Sequence, residues 1–98
     1  MLTIEELKAK ISLPETARRL GIAGFPDGPG KMCSPIRAGD ENPSFSVWNG
    51  DRGLVWTDHG TKESGDQITL IEKVRNVPTK EAIRIMREWA GDVYVSPV

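Results

Sequence analysis

Three side chains able to hold a metal or move a proton, Cys33, Asp58 and His59, fall on either side of a short aromatic-rich stretch. A cysteine before a hairpin and polar ligands after it give the outline of a zinc site. A structural zinc, however, takes four ligands, normally cysteine and histidine. Here Ile36 and Arg37 stand where a second ligand beside Cys33 would be, Asp58 is a poor ligand for such a site, and Thr61 is none. We therefore expect no zinc and no other cofactor, and read Cys33 as a small buried apolar residue. Nor is there a catalytic constellation. His59 adjoins Asp58 without a neighbouring serine or cysteine in a nucleophile motif, and the acids are scattered. The glycine-rich segments lack the lysine spacing of a phosphate loop. No residue is assigned to catalysis.

The stretch between these side chains reads as a hairpin. Ser44 to Trp48 alternates polar and apolar, as a strand with one dry face does. Asn49-Gly50-Asp51-Arg52-Gly53 supplies the residues of a tight reversal, and Leu54 to Thr57 returns as the partner strand. Two of the three tryptophans, Trp48 and Trp56, thus share one hairpin, either as core or as a stacking surface. Lys31-Met32-Cys33 leads in as a further short strand, and Gly60 to Gly65 reads as a polar loop.

Helices flank this sheet. Thr3 with Glu5 and Glu6 starts one, striped by Ile4, Leu7 and Ile11. Ser12-Leu13-Pro14-Glu15 reads as a capping box opening a second, with Leu13, Ala17 and Leu20 inward and Gly21 ending it. Both are expected to pack on the sheet. Asp66 caps a third helix over about Gln67 to Val74, with Ile68, Ile71 and Val74 on one side. Thr79 caps the fourth, whose apolar face is Ala82, Ile83, Met86, Trp89 and Ala90, with Gly91 at its end. The expectation is one α+β domain over 1–98: a small antiparallel sheet flanked by N-terminal and C-terminal helix pairs, with 92–98 a tail or an edge strand.

The 98 residues carry a net charge of -1 and one cysteine. That charge gives no global pull toward nucleic acid, so any such surface must be local. The cysteine count excludes an intrachain disulfide and fits a reducing, cytoplasmic setting. The apolar runs are too short to cross a bilayer, and the first residues lack a signal-peptide pattern.

Taken together, these motifs resemble the N-terminal zinc-ribbon domain of bacterial and phage DNA primases, in a degenerate form from phages or mobile elements. Pro43-Ser44-Phe45-Ser46-Val47 matches the family's central strand, Cys33 its first ligand, Trp56 the aromatic before its second knuckle, and Gly65-Asp66 its helix start. Leu13-Pro14-Glu15-Thr16-Ala17 and Thr79-Lys80-Glu81-Ala82-Ile83 resemble its flanks. The family's other three ligands fall at Ile36 or Arg37, at Asp58 and at Thr61, so three of four are absent. The resemblance then implies a ribbon held by apolar packing and by hydrogen bonds among Arg37, Asp40, Asp58 and loop backbone. An Arg37–Asp58 pair is the expected substitute for the metal.

The resemblance also implies contact with a single-stranded DNA template, and with a primase catalytic domain or replicative helicase. The family's polymerising (Toprim-type) domain has no counterpart in these residues, so primer synthesis is not expected of them. A single strand wants aromatic faces for stacking and cations for phosphates. Alternation sends Phe45 and Val47 to the core, with Trp56 expected beside them, and Trp48 to the other face. The implied nucleic-acid set is Trp48, Arg52, Lys31, Arg37 and Lys62. The competing expectation is an adaptor or regulator of a primase–helicase complex that touches no DNA, which the near-neutral charge favours.

Overall fold

The structure, a computed structural model, describes residues 2–35, 44–51 and 53–92. Among them the elements run α1 (Ile4–Lys10), α2 (Leu13–Arg19), β1 (Gly30–Met32), β2 (Phe45–Gly50), β3 (Gly53–Asp58), β4 (Glu63–Gly65), α3 (Gln67–Arg75) and α4 (Thr79–Ala90). The strands form one antiparallel sheet in the order β1-β2-β3-β4. This is the α+β arrangement that the alternation and the helical stripes predict. The expected edge strand over 93–98 lies outside the described residues.

The hairpin register sorts the side chains into two faces. Phe45 pairs with Asp58 and Val47 with Trp56, and these four side chains turn inward, whereas Asn49, opposite Leu54 beside the turn, is exposed. Phe45 and Trp56 are fully buried, stacked at 5.4 Å between ring centroids. The segment expected as loop after β3 contains β4 instead. Glu63, Ser64 and Gly65 have little strand propensity, but the edge of β3 offers them a ladder, with Thr57 opposite Ser64. Lys73 of α3 forms an ion pair with Glu63.

The helix starts follow their side chains. Thr3 and Glu6 form a reciprocal capping box on α1. On α2 the Ser12 side chain accepts from the Glu15 N–H, the forward half of the expected box. Asp66 accepts from the Thr69 N–H at the start of α3. The expected Thr79 cap is displaced by one residue: Pro78, held extended by its ring, occupies the cap position of α4 without a side-chain bond. Gly91 closes α4 at φ 72, where a Cβ would be strained.

Two apolar clusters share α3. Leu7 and Ile11 of α1 pack with Ile68 and Ile71 of α3 and with Ala82 and Met86 of α4. Leu13 and Ala17 of α2 pack with Phe45, Val47 and Trp56 of the sheet and with Leu70 of α3, and Val74 joins this second group. The expectation that α1 and α2 both cover the sheet is therefore corrected. Only α2 does, because the stripe on α1 meets α3 and α4. Val74 likewise faces the sheet cluster rather than the side of Ile68 and Ile71. Thr16 is buried although polar, because its hydroxyl donates to the Ser12 carbonyl at 2.9 Å. The guanidinium of Arg19 lies 5.8 Å from the Trp89 ring centroid, linking α2 to α4.

Candidate functional site

The second face of the sheet is polar. Strand pairing places Lys31, Ser46, Thr57 and Ser64 in one row across all four strands. Trp48 and Val55 form the next row toward the hairpin turn. Ser46 and Trp48 are two positions apart on the strand, a step of about 7 Å. Trp48 is 46% exposed, an unusual amount for an indole. Its position is set by a hydrogen bond: Nε1 donates to the Thr57 hydroxyl at 2.9 Å, diagonally across β3. That bond holds the ring in one orientation while leaving much of it open to solvent.

The end of this face away from the hairpin is polar and partly cationic. His59 Nε2 lies 2.9 Å from the Ser46 hydroxyl, and its backbone N–H donates to the Ser44 carbonyl. Lys31 is exposed in the row of hydroxyls, and Lys62 is exposed on the turn that follows β3. The hairpin end opens instead into a shallow groove of about 460 Å³, lined by Trp48, Asp51, Val55, Ser64, Asp66 and Lys8 among others. Lys8 reaches Asp66 Oδ2 at 3.1 Å.

The turn after β3 is closed by Asp58. Its carboxylate is fully buried. Ser34 donates its hydroxyl to Oδ2 at 2.6 Å, while the N–H groups of Gly60 and Thr61 donate to Oδ1. The Lys62 N–H donates to the Asp58 carbonyl at 2.7 Å. Lys62 itself takes φ 64, so the chain turns sharply back into β4. These donors take the place a cation would need, so this carboxylate does not fit a zinc site. Cys33 is exposed, a correction to its expected burial. Among the described residues no three His, Cys, Asp or Glu side chains gather into a metal-binding group. The Arg37–Asp58 pair and the Asp40 contact lie outside the described residues.

Of the side chains expected on a nucleic-acid surface, the structure brings Trp48 and Lys31 onto one sheet face and sets Lys62 on the adjoining turn. Arg37 and Arg52 lie outside the described residues. Thr57, Ser64 and the Lys8–Asp66 pair are not singled out by the sequence pattern. Continuing the alternation from Val55 to Thr57 would have found Thr57, whereas Lys8 and Asp66 meet only through tertiary packing. No helix among the described residues is long and apolar enough to cross a membrane. Compared with known proteins, the chain matches no family model, no curated protein and no solved structure.

Proposed function

We propose that the chain is a non-catalytic module of the primase zinc-ribbon type that has lost its metal and binds single-stranded DNA on the polar face of its sheet. The observation that carries this reading is Trp48, an indole left half-exposed yet tied to Thr57 across the strands. Stacking needs a ring that is both accessible and already oriented, since ordering a free side chain would cost part of the gain. Lys31 stands in the row next to that of Trp48 and Lys62 on the turn that follows β3, so a phosphate chain leaving the stacked base could reach a cation. The buried Ser34–Asp58 bond keeps the turn after β3 in shape, which a ribbon without metal requires.

Binding of this kind adds few cations, so the affinity would come mainly from stacking and the salt dependence would be shallow. The test is a tryptophan fluorescence titration with an oligothymidylate of about eight nucleotides, a length within one such site. We expect saturable quenching, weakened by salt and lost in Trp48→Ala at unchanged melting temperature. No binding even at low salt would refute DNA contact and leave the adaptor reading, in which Trp48 docks on another replication protein.

A further inference from the structure

The groove at the hairpin end holds a half-buried ion pair beside the exposed indole. The Lys8 and Asp66 side chains are 19% and 28% exposed, and both line the groove with Trp48. Both are fixed from behind. Asp66 Oδ1 accepts from the Thr69 N–H, and Gln67 Nε2 donates to the carbonyls of Lys8 and Ile11, docking the end of α1 on α3. Asp51 adds a second carboxylate to the groove. With two carboxylates against one amine, the groove would repel a phosphate. It offers a hydrogen-bond pattern instead: a donor at Lys8 next to a carboxylate acceptor at Asp66.

We propose that this groove is a base pocket that selects guanine in single-stranded DNA, a reading that rests on the single-strand function proposed above. Guanine alone among the four bases presents an acceptor, O6, followed by two adjacent donors, N1–H and the 2-amino group. Lys8 faces O6 and the Asp66 carboxylate takes both N–H groups, while the ring stacks on Trp48. Thymine places carbonyl oxygens on both sides of its single N–H. Adenine and cytosine carry an amino group beside an unprotonated ring nitrogen. Each would set a lone pair against the carboxylate, which is the basis of rejection.

The test uses short oligothymidylates carrying one central dG, dA, dC or deoxyinosine, with the all-thymidine strand as reference. We expect the dG strand to bind about tenfold tighter than the reference, a usual worth for one bidentate base contact. Deoxyinosine, which lacks the 2-amino group, should fall between them. Asp66→Asn should bring the dG strand and the all-thymidine strand to equal affinity, because the amide neither accepts both guanine N–H groups nor sets a full charge against thymine's carbonyl oxygens, and the helix start should survive because asparagine caps as well as aspartate. Lys8→Met, which leaves the cap in place, should reduce the preference independently. Equal affinity for every strand would overturn guanine selection and leave the single-strand reading standing. No binding by any strand would overturn both, and a preference that persists in Asp66→Asn would remove the carboxylate from the pocket.

Discussion

The Ser34 hydroxyl donates to the buried carboxylate of Asp58 at 2.6 Å, joining the segment before the hairpin to the turn after it. The two residues are far apart in sequence, so the bond does for the chain what a shared ion would do. Asp58→Ala would strip acceptors from this hydroxyl and from the N–H groups of Gly60 and Thr61. A buried donor that loses an acceptor, as Ser34 would, costs about 1–3 kcal/mol, and the two surface N–H groups add less because water can replace their partner, so the melting temperature should fall by about 5 °C or more. Thermal melts with and without a chelator check the idea. The chelator should change nothing, and a melting temperature lowered by chelation would contradict the account.

Thr57→Val keeps the shape of the side chain but removes the acceptor of the Trp48 N–H. The indole then samples other orientations. We expect oligonucleotide affinity to fall about fivefold, the equivalent of one hydrogen bond of about 1 kcal/mol, with little change in melting temperature. Titration of the variant beside the wild type measures it.

Gly65 has no room for a side chain. A Cβ there would stand 1.8 Å from Thr69 Oγ1 and 2.7 Å from Thr69 Cβ. Thr69 cannot easily withdraw, because its hydroxyl accepts from the Asp66 N–H at 2.7 Å. The neighbouring Asp66 carbonyl also accepts from the Trp56 indole, so displacement would reach the core. Gly65→Ala should cost about 2 kcal/mol or more, within the usual range for overpacking. Thr69→Ser should not rescue it, since the Cβ clash remains. Recovery of stability in the double variant would show that the γ-methyl of Thr69 alone was at fault.

Acid should loosen the tie between the N-terminus and the end of α4. Asp92 accepts from the Leu2 N–H at 2.8 Å, and Arg87 bonds both Asp92 and the Leu2 carbonyl. The bond from the Leu2 N–H, with the Arg87 guanidinium beside it, holds the Asp92 carboxyl below its ordinary 3.8. Bonds from Thr3 hold Glu6 below 4.5. A carboxyl depressed on folding stabilises fully above its unfolded value and loses that contribution as pH falls through the folded one. Melting temperature should therefore be level above about pH 5 and decline below about pH 4. Asp92→Asn should lie under the wild type at neutral pH and approach it in acid; parallel curves would exclude the linkage.

Much of the hairpin is legible in the order of its residues. Alternation from Ser44 to Trp48 identifies β2 and puts Phe45 and Val47 inside and Trp48 outside, because a strand's period leaves no other choice. Trp56 follows once its strand is paired. What the sequence hides depends on partners rather than periods. Glu63-Ser64-Gly65 becomes a strand because β3 offers an open edge. The stripe on α1 declares an apolar face but not that α3 and α4 will cover it. Thr16 enters the core because its hydroxyl is satisfied within its own helix. The burial of Asp58 and the exposure of Cys33 invert what the side-chain types suggest, since backbone N–H groups of the following turn reach only the former.

Because α3 walls off both apolar clusters, neither has a complete boundary without it. The sheet side lacks Leu70 and the helical side lacks Ile68 and Ile71 if that single segment melts. Loss of order in either half is thereby transmitted to the other, and the chain should come apart in one step rather than two. Amide exchange should be slowest along Ile68–Ile71 and should share one opening free energy with β3.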